Sequence, residues 1–437
     1  MNDHHSQQEH KEASISQLAS LILEECSTME LECKTNDITP PNLQAGTSTA
    51  FWSETSPKLS DSRTRALGWL EQLTILLQGP HQFLHEFVAP NWDHGALYVF
   101  LQSPALECIA SSGGRASLSR LSDVSQIPED KLTRILALLR CKNIVHEPEQ
   151  NIFTLTAVSE ELLGDEDFRA WVEFQLFETR VASAHLAQAL TTKPNDYVAG
   201  TSGFKQGWGA EMYEWHAKHP EKGDRFRRAM RGVSKSLDPA DSLLRKHIHN
   251  LSSPELTTAV EIGGRYGFAS VTLVGEYPSL SFEVRCESDD FLRRGKALVD
   301  PRYDDRIIFT NVASPSAMAC TGDSTKVFAY IIRNVFWNWT DDDAIKLLQV
   351  LLPTLRTNKS TRILITDGVS PVSKQFPPHI EIAYRRRDIT TMTMHNVKQR
   401  TQAEWLEMFS RVDPCLSVKT DVEISAHVCK GLWELSL

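Results

Sequence analysis

Apolar residues recur at helical spacing through the first half of the chain and as short runs through the second. Ile15, Leu18, Leu21, Ile22 and Leu23 predict an amphipathic helix over 14–34, after a polar stretch, 1–13, that reads as disordered. Residues 35–60, rich in Thr, Ser, Pro and Asn, read as a linker. Helical spacing resumes over 62–88 (Ala66, Leu67, Trp69, Leu70, Leu73, Leu76, Leu77) and is broken at Gly79-Pro80. Leu118–Val124 and Pro128–Cys141 predict two short helices, and 143–148 and 151–156 two short strands. Residues 165–250 are helical and aromatic-rich, with Trp171, Phe174, Phe177, Phe204, Trp208, Tyr213, Trp215 and Phe226 as core candidates first and pocket walls second.

From residue 258 strands and helices alternate. Ala259, Val260 and Ile262 run into a glycine turn, Gly263-Gly264-Arg265-Tyr266-Gly267. A helix follows around Phe268, Val271, Leu273 and Val274, then a strand over Leu280–Val284. This is the layout of a nucleotide-binding βαβ unit, whose glycines permit a tight turn and close backbone approach to a ligand. Further strands are predicted over Arg306–Phe309, Lys326–Ile332 and Arg362–Thr366, with helices over Asp342–Leu355 and Ala403–Phe409. A strand pair near Leu416–Thr420 and Val428–Leu435 ends an α/β doubly wound sheet.

Between these halves, the helix pair with its β hairpin, within 95–160, forms a winged-helix unit. Its second helix carries only Lys131, Arg134 and Arg140, and the chain has a net charge of −10. Packing or dimerisation is therefore favoured over nucleic-acid binding, which needs a positive field. No apolar run reaches the length of a membrane span, and the polar start lacks a signal-peptide core. A cytoplasmic protein with no membrane partner is expected. The eight cysteines form no C-x-x-C pair, so neither disulfides nor a metal site is expected.

Four ordered motifs carry a resemblance: Glu261-Ile262-Gly263-Gly264 with Gly267; Arg333 with Trp339, Asp341 and Asp342; Ile365 with Asp367; and Lys398, Arg400, Thr401, Glu404 and Trp405. Over about residues 60–437 the chain resembles the plant-type and fungal O-methyltransferases that use S-adenosylmethionine. The resemblance implies a Rossmann-like methyltransferase domain preceded by an all-α winged-helix dimerisation domain, in a homodimer. It divides the chain into 1–60 (helix and linker), 61–165 (dimerisation), 166–250 (a helical connector lining the pocket) and 251–437 (the Rossmann-like domain).

Departures from the family pattern shape the functional expectation. Trp337 stands where the family has its general-base histidine, and Asn338 where an aspartate follows. An indole nitrogen only donates, so it accepts no proton at neutral pH. Gln399 replaces a carboxylate that would orient the histidine, while Asp367 keeps the other. Arg265 replaces a third glycine, Cys286 the acid that would hold ribose hydroxyls, and Ala313 an acid beside adenine; Glu287 follows one residue late. These changes predict a weak or vestigial cofactor site (Gly263, Gly264, Arg265, Gly267, Glu287), with S-adenosylmethionine possible but not required.

A branch of the family fits such losses: fungal pericyclases that dehydrate a pyridone-polyketide alcohol and steer a hetero-Diels–Alder, Diels–Alder or Alder-ene reaction. By this resemblance Trp337, Asn338, His395 and Asp367 are the candidate catalytic residues. Trp171, Phe174, Phe177, Phe204, Met392, Met394, Asn396 and Gln399 are candidates to hold a small hydrophobic metabolite. The alternatives are a methyltransferase with an unusual site and a catalytically silent dimeric pathway protein.

Overall fold

A computed structural model describes residues 13–46, 56–192, 201–237, 242–250, 257–264, 266–286, 289–312, 326–424 and 429–437. The chain divides into two compact units. The first comprises residues 1–177, 225–230 and 377–380, and the second residues 178–224, 231–376 and 381–437.

In the first unit, helix Ile15–Thr35 begins with a capping box in which Ser14 and Gln17 satisfy each other's amides. Helix Pro57–Val88 kinks at Gly79, whose φ of 65° only glycine adopts freely, just before Pro80. Helices Leu118–Ser125 and Glu129–Cys141 lead into the wing, β2 (Val145–Glu149) and β3 (Ile152–Leu155). A strand absent from the hydrophobic pattern, β1 (Arg115–Ser117), pairs antiparallel with β3, giving the order β1-β3-β2. Three residues are too few to show a period of two. Phe100, Leu106, Ile109, Leu121, Leu136 and Phe153 form the core under this wing.

The second unit is built on a seven-stranded sheet of order β6-β5-β4-β7-β8-β10-β9. Its strands are β4 (Thr258–Ile262), β5 (Ser281–Cys286), β6 (Ile307–Asn311), β7 (Val327–Arg333), β8 (Arg362–Gly368), β9 (Ser417–Ile424) and β10 (Cys429–Ser436). The first five run parallel, and β10 runs antiparallel to β8 and β9. Both faces are apolar: Val260, Ile332 and Ile365 face one core, and Ala259, Phe282, Val284 and Leu364 the other. Burial on both faces explains why these strands read as continuous apolar runs. The order reverses between β4 and β7, so the carboxyl ends of these strands bound the crevice where such sheets bind ligands.

Two motif segments have plain structural roles. Thr340 caps helix Asp341–Thr357 by accepting from the Asp343 amide. Thr401 and Glu404 form the capping box of helix Gln402–Val412.

The glycine turn after β4 packs inward. A Cβ on Gly264 would stand 1.9 Å from Glu261 Oε1. That carboxylate is buried and accepts from the Ser270 hydroxyl at 2.6 Å and the Ser270 amide at 2.8 Å. Gly264→Ala must displace it, and we expect a loss of about 2–3 kcal/mol in urea unfolding, the cost of stripping a buried charged acceptor of its partners. Gly95→Ala meets nothing within 4 Å and lies in helix Pro90–Gln102. It should be neutral or stabilising by up to about 1 kcal/mol.

Candidate active site

The segment after β7 makes a short 3-10 turn, Phe336–Asn338, that is pinned through its backbone. The Asp367 carboxylate, at the end of β8, accepts from the Trp337 amide at 3.1 Å and the Gly368 amide at 2.7 Å. Gln399 Nε2 donates to the Trp337 carbonyl at 3.2 Å. The Arg400 guanidinium is 2% exposed. It donates to the carbonyls of Phe336 and Trp339, each at 2.8 Å, and to Asp341 at 2.7 Å. The two side chains at the family's base-orienting positions thus hold the main chain of Trp337.

Above this turn the aromatic rings of Trp337 and His395 meet edge to face, centroids 5.8 Å apart. His395 in turn lies near-parallel to Tyr213 at 5.5 Å. Asn338 Nδ2 donates to the Tyr213 hydroxyl. Asn396, with a positive φ of 56°, reaches the Thr201 hydroxyl at 2.6 Å. Trp337, Asn338, Asp367, His395 and Gln399 therefore come together although they lie far apart in sequence.

Trp171, Phe174 and Phe177 belong to the first unit, where they pack on Phe168, Phe226 and Tyr98 respectively. Phe204 is fully buried in the second unit beside Trp208 and Trp215. Met394 is buried and Met392 half-buried on helix Pro378–His395. The same helix carries Arg385, ion-paired with Glu381, and Arg387, which lies over the Tyr384 ring.

Tyr213, expected only as a core or pocket-wall aromatic, and Arg400, expected only as part of a motif, make contacts that hold this turn and its side chains. Arg400 was visible only as a motif letter, and Tyr213 meets Asn338 across 125 positions. No local pattern encodes such a contact.

The electrostatics of the site follow from burial. Asp367 has its pKa raised from 3.8 to about 6 by desolvation, opposed by the Gly368 amide, the Arg400 charge and the amides of Phe336 and Trp337. Burial likewise raises Glu261, against its bonds to Ser270 and the charge of Arg333. The Asp367 oxygens are engaged by amides, which makes this group an anchor rather than a free base.

At the cofactor turn, Gly263 and Gly267 have φ of 73° and 69°. A Cβ on either would strike Val335 or Val284 within 2.8 Å. The turn keeps the glycine geometry that a nucleoside ligand needs for close backbone approach. At the end of β5 the Cys286 thiol is buried and supplies no carboxylate. Arg265, Glu287 and Ala313 lie outside the described residues.

A parallel sheet with a glycine turn at its switch point and an acceptor-side cluster beyond β7 and β8 defines an O-methyltransferase-type fold. The O-methyltransferase domain model matches residues 184–412. The O-methyltransferase phnC of Penicillium herquei is 39% identical over 410 residues, covering 92% of this chain and 95% of that protein. The chain belongs to the O-methyltransferase family. Two solved structures share its fold at a TM-score of 0.73 and 16% identity, each over 96% of this chain. One is LepI in complex with S-adenosylmethionine, covered over 99% of its length, and the other is described as a pericyclic reaction enzyme, covered in full.

These findings correct one expectation. A relative at 39% identity is a named O-methyltransferase, and the same fold holds S-adenosylmethionine in LepI. The readings of an eroded cofactor site and of a cofactor not required are therefore overturned. Arg265 and Cys286 change side chains, whereas Gly263 and Gly267 keep the positive φ of the turn. Among the described residues no group of three or more His, Cys, Asp or Glu is placed to hold a metal, and no helix is long and apolar enough to cross a membrane.

Asp367 makes stability depend on pH. Its native pKa lies above its ordinary value, so between about pH 4 and 6 the native state holds the extra proton. Its contribution is greatest below pH 4 and is lost as the pH rises through 6. Relative to Asp367→Asn, wild-type stability should fall by roughly 2 kcal/mol from pH 4 to pH 7 in urea titrations, since each pKa unit is worth about 1.4 kcal/mol and part of the change lies below pH 4.

Proposed function

We propose that this protein binds S-adenosylmethionine at the turn Gly263–Gly267 and acts on a small hydrophobic metabolite of fungal secondary metabolism. Its reaction is the dehydration and stereoselective pericyclic cyclisation of a pyridone-polyketide-type alcohol. The observation that carries this reading is the substituted base. Trp337 offers no proton acceptor, and Asp367 and Gln399 are committed to its backbone. A concerted rearrangement needs no nucleophile, only a substrate chain held in a reactive conformer and hydrogen bonds to its carbonyl. Asn338 and His395 supply polar groups for that purpose, His395 as the acid for a leaving hydroxyl, and the Trp337 ring supplies an apolar wall. When bound, S-adenosylmethionine supplies a transferable methyl group and a fixed positive charge.

A second reading, methyl transfer, is favoured by the kinship with phnC. In it His395 is the remaining base. Incubation of the purified protein with methyl-labelled S-adenosylmethionine and a pyridone-polyketide alcohol separates the two. Cyclised, unlabelled product is expected; label in the product would replace the first reading with the second. Trp337→Ala should lower the rate about tenfold or alter the isomer ratio with the thermal midpoint retained, equivalent to about 1.4 kcal/mol of transition-state stabilisation. Kinetics and isomer ratio identical to wild type would reduce Trp337 to packing.

The helical region 61–165 forms a homodimer in this reading. Leu77, Leu84, Phe87, Val88 and Trp92 are each more than 60% exposed along one stretch of the first unit, and apolar patches of this kind mark protein interfaces. Phe87→Asp with Trp92→Ser should turn a dimer into a monomer in light scattering. A wild-type monomer, or a variant that stays dimeric, would contradict it.

A further inference from the structure

Helix Met212–Lys218 is anchored in the second unit by Met212 and Trp215, 2% and 7% exposed, with Trp215 packed on Phe204 and Trp208. Tyr213, half-buried on the same helix, is thereby held firmly. Two of its contacts differ in kind. Its hydroxyl oxygen accepts from Asn338 Nδ2. Its ring lies 5.5 Å from the His395 imidazole, 24° from parallel.

Each contact removes a freedom that a reaction site cannot leave open. An asparagine amide can present either its oxygen or its nitrogen to a ligand. With Nδ2 turned to Tyr213, the carbonyl oxygen of Asn338 is presented on the other side. An imidazole can rotate about its last torsion. The Tyr213 ring against its face, with Trp337 at 5.8 Å and 87°, sets the plane in which its nitrogens lie. The Asn338 bond also polarises the phenol, because hydrogen bonds in series strengthen one another.

We propose that Tyr213 is a positioning residue of the reaction site. One hydroxyl fixes the amide of Asn338 and one ring face fixes the plane of His395, so both polar groups meet the substrate as a rigid unit. The inference deepens the reading of this site as the reaction centre and rests on it.

Tyr213→Phe keeps the ring and removes the acceptor; Tyr213→Leu removes both. In the full-length protein, with the thermal midpoint as control, two nuclear magnetic resonance signals report the geometry directly. They are the Asn338 side-chain amide and the His395 ring protons, which sense the stacked phenol ring. Tyr213→Phe should move the Asn338 amide resonance, leave the His395 ring resonances in place, and lower kcat about tenfold with KM nearly constant, the worth of one hydrogen bond. Tyr213→Leu should also move the His395 ring resonances and lower kcat further. Signals unchanged in both variants, or changed signals with wild-type kcat and isomer ratio, would overturn the proposal. Methyl transfer with the same dependence on Tyr213 would sink the pericyclic reading alone and leave this role standing.

Discussion

The buried guanidinium of Arg400 holds the reaction side of this protein in shape. Its planar fork meets two carbonyls and the Asp341 carboxylate at once, a geometry that a lysine cannot match. Those acceptors lie at Phe336, Trp339 and the start of helix Asp341–Thr357. The turn between β7 and that helix therefore cannot relax without stripping a buried charge of its partners, which is costly. Asp367 and Gln399 add the amide and carbonyl of Trp337 to the same network. The side chains of Trp337 and Asn338 project from a backbone that has little freedom left.

This arrangement changes how the departures from the family pattern are understood. A carboxylate that would orient a histidine here orients a peptide group. Asp367 and Gln399 thereby fix the path of the chain at Trp337 whatever its side chain does. The glycine turn obeys the same economy. Gly263, Gly264 and Gly267 are required by Val335, Glu261 and Val284 pressing from inside, and the resulting backbone path is also the one a nucleoside approaches.

Much of the fold was legible because its strands are buried on both faces and its helices carry strong apolar stripes. β4, β7 and β8 fall where runs such as Ala259–Ile262 and Ile363–Ile365 predicted them. The break at Gly79-Pro80 is a real kink. β1 was not legible, because three residues show no period. Trp337, Asn338, Asp367, His395 and Gln399, named from the family resemblance, are brought together by the fold, while Trp171, Phe174 and Phe177 pack among aromatic rings of the first unit. Aromatic residues at helical spacing look alike whether they fill a core or line a pocket. The cofactor turn was not legible for a related reason: substitutions such as Cys286 change side chains, while the positive φ of Gly263 and Gly267 keeps the backbone path.

The sequence by itself determined the alternation of strands and helices, the glycine turn, and the loss of a proton acceptor at Trp337. These follow from local period, backbone freedom and side-chain chemistry, which need no partner. Tertiary structure alone decided that Asp367 and Gln399 grip the Trp337 backbone, and that Tyr213 reaches Asn338 and His395. Such contacts join residues as far apart in sequence as Tyr213 and His395. They exist only once burial of the sheet faces has brought those segments within hydrogen-bonding distance.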